Sequence, residues 1–274
     1  MAMLTSEQFE RTRKLALRLA GIELFDRHRE LLATRGRRFW LPHAAGIEVL
    51  LDAAEEGDSL ASQQLIGLFT TNYTAFFRHP PHFKIAAEHA QRAVLRRGGA
   101  RLWSAAAATG EEPYSMAMAL VETMGGDDPP LTILATDIDA DALAVAAQGE
   151  YGEKALQVLT PEQCARFFQE SAGAGLRRIA PSARRLVTFH ELNLASSVWP
   201  SEEPFDVIFC RNVLMYLEAR LRHSVVERLA SLLQPDGLLL IDPAEHLGQA
   251  GHLFAQENDA VYRRKSTSLC TRHN

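Results

Sequence analysis

Arg101-Leu102-Trp103-Ser104-Ala105-Ala106-Ala107-Ala108-Thr109-Gly110-Glu111-Glu112-Pro113-Tyr114-Ser115-Met116-Ala117-Met118 is the stretch on which the fold turns. It reads as the end of a buried strand, a loop built from small residues, and a helix that begins near Glu112 and Pro113 and continues through Ala117, Leu120 and Val121. Small side chains let a backbone approach a ligand closely, and proline suits the first turn of a helix because the donor it lacks would be unpaired there. A dinucleotide fingerprint would want three glycines, whereas this loop has Gly110 alone. Glu111 and Glu112 suit the positive end of a helix dipole but repel a phosphate. The loop therefore predicts a cationic or hydroxyl-rich ligand rather than a pyrophosphate.

Working outward, the 274 residues are 47% apolar and 23% charged, the composition of a soluble globular protein with one large domain or two smaller ones. Charge appears within a few residues of Met1, and no apolar run of signal-peptide or membrane-span length follows, so the cytoplasm is the expected location and no membrane insertion is expected. Cys164, Cys210 and Cys270 are far apart and lack paired metal spacing, which predicts free thiols. The net charge of −5 is uneven: residues 1 to 45 carry nine Arg or Lys against five acids, a segment charge of +4. A basic face on an otherwise acidic chain suits an acidic partner, or is a solvated helix surface.

Only helices are expected from Thr5 to about Ala87: one capped at Thr5 and stopped at Gly21, one from about Asp26 to Arg38, one around Ile47 to Ala54 and one from near Ser59. His79-Pro80-Pro81-His82-Phe83 reads as a break, followed by a helix from about Ile85 to Leu95. Metal binding by His79, His82 and His89 is disfavoured, because a double proline interrupts any helical ligand face. From Ala100 onward strands and helices alternate, with strands at Ala100–Ser104, Leu131–Thr136, Phe205–Cys210 and Leu238–Ile241 and a turn at Gln234–Gly237. The pattern predicts an α/β, Rossmann-like domain with a mixed, mostly parallel sheet. The expected division is a helical domain over 1–88 and a catalytic domain over 89–274. An inserted antiparallel β subdomain is expected at about 150–188, where Leu176–Ile179 would pair with Arg184–Val187 across a turn at Pro181-Ser182.

In open α/β sheets ligands sit beyond the carboxyl ends of the strands, where strand order reverses. Three strand ends then supply candidates: the Ala105 to Glu112 loop; Asp137, placed to accept hydrogen bonds from a ribose diol; and Cys210-Arg211-Asn212-Val213-Leu214-Met215-Tyr216. Too few glycines for NAD and no Gly-x-x-x-x-Gly-Lys for a nucleoside triphosphate leave an adenosyl ligand with a cationic sulfonium, S-adenosylmethionine, as the favoured cofactor.

Trp103 to Ser115 resembles the cofactor loop of the CheR family of chemotaxis receptor methyltransferases. Thr71-Asn72-Tyr73-Thr74-Ala75-Phe76-Phe77-Arg78, Ala135-Thr136-Asp137-Ile138-Asp139 and Phe205 to Val213 are similar to other signatures of that family. Gln234-Pro235-Asp236-Gly237 and Val261-Tyr262-Arg263-Arg264 extend the resemblance over nearly the whole chain. The resemblance implies a class I methyltransferase fold and transfer of a methyl group from S-adenosylmethionine to receptor glutamate side chains, leaving S-adenosylhomocysteine, with no metal. It implies that Asn72, Thr74 and Arg78 reach the amino-acid end of the cofactor from the helical domain and that Glu111 meets its amino group. Asp137 would take the ribose hydroxyls, Asn193-Leu194 the adenine, and Arg211-Asn212 the pocket floor. Arg211 and Tyr216 would be the catalytic pair, with Tyr216 facing the methyl group.

The implied partner is the cytoplasmic helical region of a chemoreceptor, docked on Arg35, Arg37 and Arg38, with the inserted subdomain as a second contact. A monomer is expected. Nucleic-acid methylation is disfavoured because Arg211-Asn212-Val213-Leu214 is neither a polar-Pro-Pro-aromatic nor a cysteine-nucleophile motif. A non-catalytic scaffold that binds cofactor product or receptor on the same fold is the alternative. Two departures stand out. Asp242-Pro243-Ala244-Glu245 occupies the place of the family's usual Gly-His-Ser-Glu, and the short turn Ser171-Ala172-Gly173-Ala174-Gly175 favours a member that needs no receptor tether.

Overall fold

Residues 4–40, 46–173, 175–199 and 203–265 are described by a computed structural model, without the side chains of 37–40. The side chains of Arg37 and Arg38 thus lie outside the described residues, as does Ala174. The first helix, α1 (Ser6–Ala20), starts at a reciprocal cap between Thr5 and Gln8 and stops at Gly21, whose φ of 65° is left-handed. The basic stretch opens with a 3₁₀ turn at Asp26–His28 before α2 (Arg29–Trp40). With α3 (Gly46–Glu55) and α4 (Ser59–Phe69), these helices bury Phe9, Leu15, Leu32, Leu51 and Leu65 in one apolar cluster.

The two prolines begin a helix rather than separate two: Pro80 and Pro81 are its first residues in α5 (Pro80–Arg97). Their fixed φ and missing N–H suit that first turn. Phe83, Ala86, Ala90 and Ala93 of α5 share a core with the sheet, so position 88/89 falls inside a helix that is packed on the sheet side.

Strands and helices then alternate: β1 (Ala100–Ser104), α6 (Glu111–Met124), β2 (Leu131–Asp137), α7 (Ala140–Gln148), β3 (Glu150–Gly152), α8 (Glu153–Leu156), α9 (Pro161–Phe167), β4 (Phe168–Glu170), β5 (Leu176–Ile179), α10 (Pro181–Arg184), β6 (Val187–Glu191), β7 (Phe205–Phe209), α11 (Ala219–Leu232), β8 (Leu233–Leu240), β9 (Phe254–Asn258) and β10 (Val261–Arg264). The main sheet runs β6-β2-β1-β7-β8-β10-β9. All its neighbours are parallel except β10, which is antiparallel to β8 and β9. This is a Rossmann-like, class I methyltransferase architecture. The chain leaves β1 in one direction to β2 and β6, then returns to its other side at β7, so the strand order reverses between β1 and β7. Both faces are covered. Leu102, Val207, Phe209, Leu238 and Leu240 join the cluster with α5 and α6, while the alternate residues Trp103, Ile208, Leu239 and Ile241 join the one with α11.

Two local expectations differ from the structure. Leu176–Ile179 pairs with β3 and β4, not with Arg184–Val187. Pro181 starts a helical turn, and Val187 leads a strand lying parallel to β2, opposite Ile133, where its apolar side chain meets the main core. Gln234–Gly237 is part of β8 and bulges there, since Phe205 is paired with Leu233 but Val207 with Leu238.

Gly110 is the glycine the loop needs. Its φ is 97°, and a Cβ there would lie 2.7 Å from the Tyr151 hydroxyl and 2.8 Å from Ala146 Cβ. Gly110→Ala is expected to lower unfolding stability by about 1–3 kcal/mol through strain and overpacking, measured by urea denaturation; an unchanged midpoint would contradict this tight approach.

Candidate active site

Above the carboxyl ends of β1, β2 and β7 lies a cleft that the helical domain closes from the other side. Its lining takes in Thr70–Ala75, Arg78, Ala105, Asp137, Leu192–Leu194 and Arg211–Val213, together with Glu112, Tyr216 and Leu217. Of the residues singled out from the sequence, Asn72, Thr74, Arg78, Asp137, Asn193, Leu194, Arg211, Asn212 and Tyr216 are brought together here. Glu111 is not among the lining residues. Its carboxylate accepts the Thr109 hydroxyl at 2.7 Å, and the adjacent Glu112 faces the cleft instead.

On the sheet side the backbone itself shapes the wall. Ala107 N–H donates to Thr136 O at 2.9 Å, and Ala108 N–H donates to Asp137 Oδ2 at 2.8 Å. The other Asp137 oxygen accepts the Asp139 amide at 2.9 Å. Burial pushes the Asp137 carboxyl above its ordinary value, and the amides of Asp139 and Ala108 oppose that shift. Asp139 is a junction. One of its oxygens caps α7 through Ala142 N–H at 3.1 Å, and the other accepts the Asn72 amide at 2.8 Å and the Thr70 hydroxyl at 3.0 Å. Asn72 is thereby tied across the cleft to the strand end that carries Asp137.

A second tie runs through Asn193, whose amide donates to Leu19 O at 2.6 Å while its oxygen accepts Ala195 N–H at 2.8 Å. A third joins the Gly21 turn to the Tyr216 loop: Glu23 N–H donates to Tyr216 O at 2.9 Å and Glu218 N–H to Gly21 O at 3.0 Å. Arg35 adds a fourth inside the helical domain, donating to Thr70 O at 2.7 Å and Thr71 Oγ1 at 3.0 Å. That guanidinium, expected on a docking face, braces the segment that leads to Asn72.

Arg211 is the buried centre of the site, with a side chain 1% exposed. Its Nη1 donates to Glu112 Oε2 at 3.1 Å and its Nη2 to the Arg78 carbonyl at 2.8 Å. Glu112 also accepts the Ser104 hydroxyl at 2.8 Å. Burial raises the Glu112 carboxyl, and the Arg211 charge works against that rise. Arg78 needs such a hold, because Phe77 and His79 on either side have φ of 50° and 62°, a region costly for residues with a Cβ. Phe77 N–H is fixed in turn by Ser115 Oγ at 2.9 Å.

The Asn212 turn, with φ of 59°, is held by Glu245, the last residue of the departing Asp242–Glu245 stretch. Glu245 accepts Asn212 N–H at 2.9 Å, Asp242 N–H at 2.9 Å and Met215 N–H at 3.3 Å. The Asp-Pro-Ala-Glu loop therefore shapes the 211–216 wall. Tyr216 ends the short 3₁₀ turn Leu214–Tyr216 and is half-buried in the cleft. Among the described residues no group of three or more His, Cys, Asp or Glu is placed to hold a metal ion.

Residues 72–262 match the family described as "CheR methyltransferase, SAM binding domain". The chain belongs to the CheR methyltransferase family. Curated relatives match over nearly its full length. Chemotaxis protein methyltransferase 2 of Pseudomonas aeruginosa is 38% identical over 94% of this chain and 93% of the relative. The chemotaxis protein methyltransferase of Escherichia coli is 37% identical over 94% and 91%.

The donor set suits the cofactor of that family. An acidic strand end stands at Asp137, apolar walls at Ile138, Leu192 and Leu194, and a guanidinium at Arg78. The small-residue loop of Ala105–Ala108 places no cation where a pyrophosphate would need one.

Glu112→Ala, which strands the buried Arg211 charge, is expected to cost about 3–5 kcal/mol in unfolding stability. Urea denaturation checks this, and a loss below 1 kcal/mol would mean that the pair is not the buried anchor described.

Proposed function

We propose that the protein methylates glutamate side-chain carboxylates on the cytoplasmic helical region of a chemoreceptor, using S-adenosylmethionine. The observation that carries this reading is the convergence of Arg78, Asp137 and Tyr216 on one cleft shared by the helical and sheet domains, in a chain of the CheR family. The curated relatives' names as chemotaxis methyltransferases support the receptor as substrate.

When bound, the cofactor supplies a methyl group on a positively charged sulfur. An ionised glutamate, with an ordinary pKa of about 4.3, is already a nucleophile at neutral pH and needs no general base. The residues' work is therefore positioning and exclusion of water. Asp137 accepts the ribose hydroxyls, the Arg78 fork takes the cofactor carboxylate, Asn72 and Thr74 flank that end, and Asn193-Leu194 pack on adenine. At the start of α6 it is Glu112, which lines the cleft, rather than Glu111, that stands beside the cationic end. Tyr216 orients the incoming carboxylate by hydrogen bonding, and Asn212 and the buried Arg211 build the wall behind it.

The test is transfer of labelled methyl from the cofactor to a receptor's cytoplasmic fragment, read as label released by mild alkali, as a methyl ester requires. Product binding with no transfer would instead indicate a scaffold. Tyr216→Phe is expected to lower kcat about 10-fold or more, with S-adenosylhomocysteine affinity unchanged. Equal turnover would remove Tyr216 from the chemistry.

Asp137 gives a pH prediction. Its carboxyl stands above the ordinary value because it is buried, so acidification protonates it early. A protonated Asp137 loses acceptor strength, so product affinity should fall as pH drops toward that raised value, beginning above the usual aspartate value of about 3.9. Asp137→Asn should bind weakly and lose this dependence, as calorimetry across pH would read.

On docking, Arg37→Glu with Arg38→Glu is expected to raise the receptor KM, most strongly at low salt, with the cofactor KM unchanged. Arg35→Glu should raise the cofactor KM as well, because it frees the Thr70 carbonyl. A double variant with wild-type receptor KM at low salt would exclude this docking face.

A further inference from the structure

Asp242 follows β8, two residues beyond its last strand position. Its side chain is 7% exposed. One carboxylate oxygen accepts Ala244 N–H at 3.0 Å, and the other, Oδ2, is buried with no hydrogen-bond partner among the described residues. A buried carboxylate oxygen left unpaired is costly unless charge nearby compensates it. The compensating charge is Arg78, with Nη2 at 3.7 Å, and the His79 ring stands beside it with Nε2 at 3.5 Å; both are too far for good hydrogen bonds. Burial alone would raise the Asp242 carboxyl. The Ala244 amide, Asn212, Arg78 and His79 outweigh it and hold the group below the ordinary value, so it is ionised.

From its other side the Arg78 guanidinium donates to Tyr73 O at 3.3 Å and lies 5.7 Å from the centre of the exposed Tyr73 ring. The backbone at Arg78 is pinned by Arg211 and Ser115, but those contacts fix the main chain and Phe77 rather than the guanidinium. An arginine on a free stem samples many rotamers, and ordering it on binding costs entropy. Among the described residues Asp242 is the one acidic group paired with it.

We propose that Asp242 is a positioning residue for Arg78, drawing its guanidinium over the cleft by charge alone and so leaving the fork's donors for the cofactor carboxylate. The inference rests on the cofactor role given to Arg78 above. The attraction acts without a hydrogen bond, so it presets direction without consuming a donor.

The test is a double-mutant cycle read by calorimetry with S-adenosylhomocysteine on the full chain, using Arg78→Ala, Asp242→Asn and the pair. Asp242→Asn keeps the shape and the Ala244 contact while removing the charge. It is expected to weaken product binding about fivefold in the wild-type background, the scale of coupling between neighbouring charged groups, and to have almost no effect in the Arg78→Ala background. With receptor present, the loss should appear as a rise in cofactor KM larger than the fall in kcat.

An equal weakening in both backgrounds would mean that Asp242 acts on the fold rather than on Arg78, and unchanged affinity would mean that it does not act at all; either overturns the proposal. If Arg78→Ala alone leaves product affinity unchanged, the reading of Arg78 fails and takes this inference with it. Should Asp242→Asn not fold, Asp242→Ser is read by the same criteria, and loss of fold in both assigns Asp242 to stability and overturns the proposal.

Discussion

The site depends on one buried charge. Arg211 extends from the end of β7 with almost no exposure and spends its two terminal nitrogens in opposite directions, on Glu112 at the head of α6 and on the Arg78 carbonyl. A guanidinium out of water needs its charge balanced and its donors met; here both terminal nitrogens are met, while Nε is buried with no hydrogen-bond partner among the described residues. Glu112 supplies the balance, and the Arg78 carbonyl is an acceptor that exists only if the crossing segment adopts its unusual path. The cost of burying Arg211 thus becomes a constraint on the Phe77–His79 backbone, whose φ values would not persist unsupported.

The other ties follow the same logic. Asn72 to Asp139, Asn193 to Leu19 and Glu23 to Tyr216 each join a cleft-forming loop of one domain to the other, and each uses a polar group that would otherwise be left unsatisfied at the seam. The cleft and the seam are one structure. For the proposed reaction, whose nucleophile is already ionised, this is the demand that matters: rate must come from alignment and dryness, both of which a two-sided cleft supplies.

Much of this was legible in the sequence where the signal is local. A loop of alanines with one glycine reports close backbone approach, and Gly110 does meet Tyr151 and Ala146. Apolar strands with short connections report a parallel sheet, and Asp137 follows from where such a sheet must end. What stayed hidden was set by geometry that composition does not carry. Glu111 and Glu112 are neighbours of one chemistry, and only the rotation between successive helix positions decides that Glu112 meets Arg211. Arg35 reads as surface charge until the fold brings Thr70 O within reach. Glu245 ends a stretch that departs from the family pattern, and only the fold shows three backbone amides converging on it. Pro80 and Pro81 carry the same residue signal whether a helix breaks or begins there, and the covering position of α5 on the sheet decided it.

The most direct test of a cleft held jointly by two domains is amide hydrogen exchange with and without saturating S-adenosylhomocysteine. The account predicts that the ligand slows exchange together in the crossing segment 70–79, in the loop 105–110 and in 211–217. Protection confined to 105–110, with 70–79 unchanged, would mean that the sheet domain holds the ligand alone and would contradict the account.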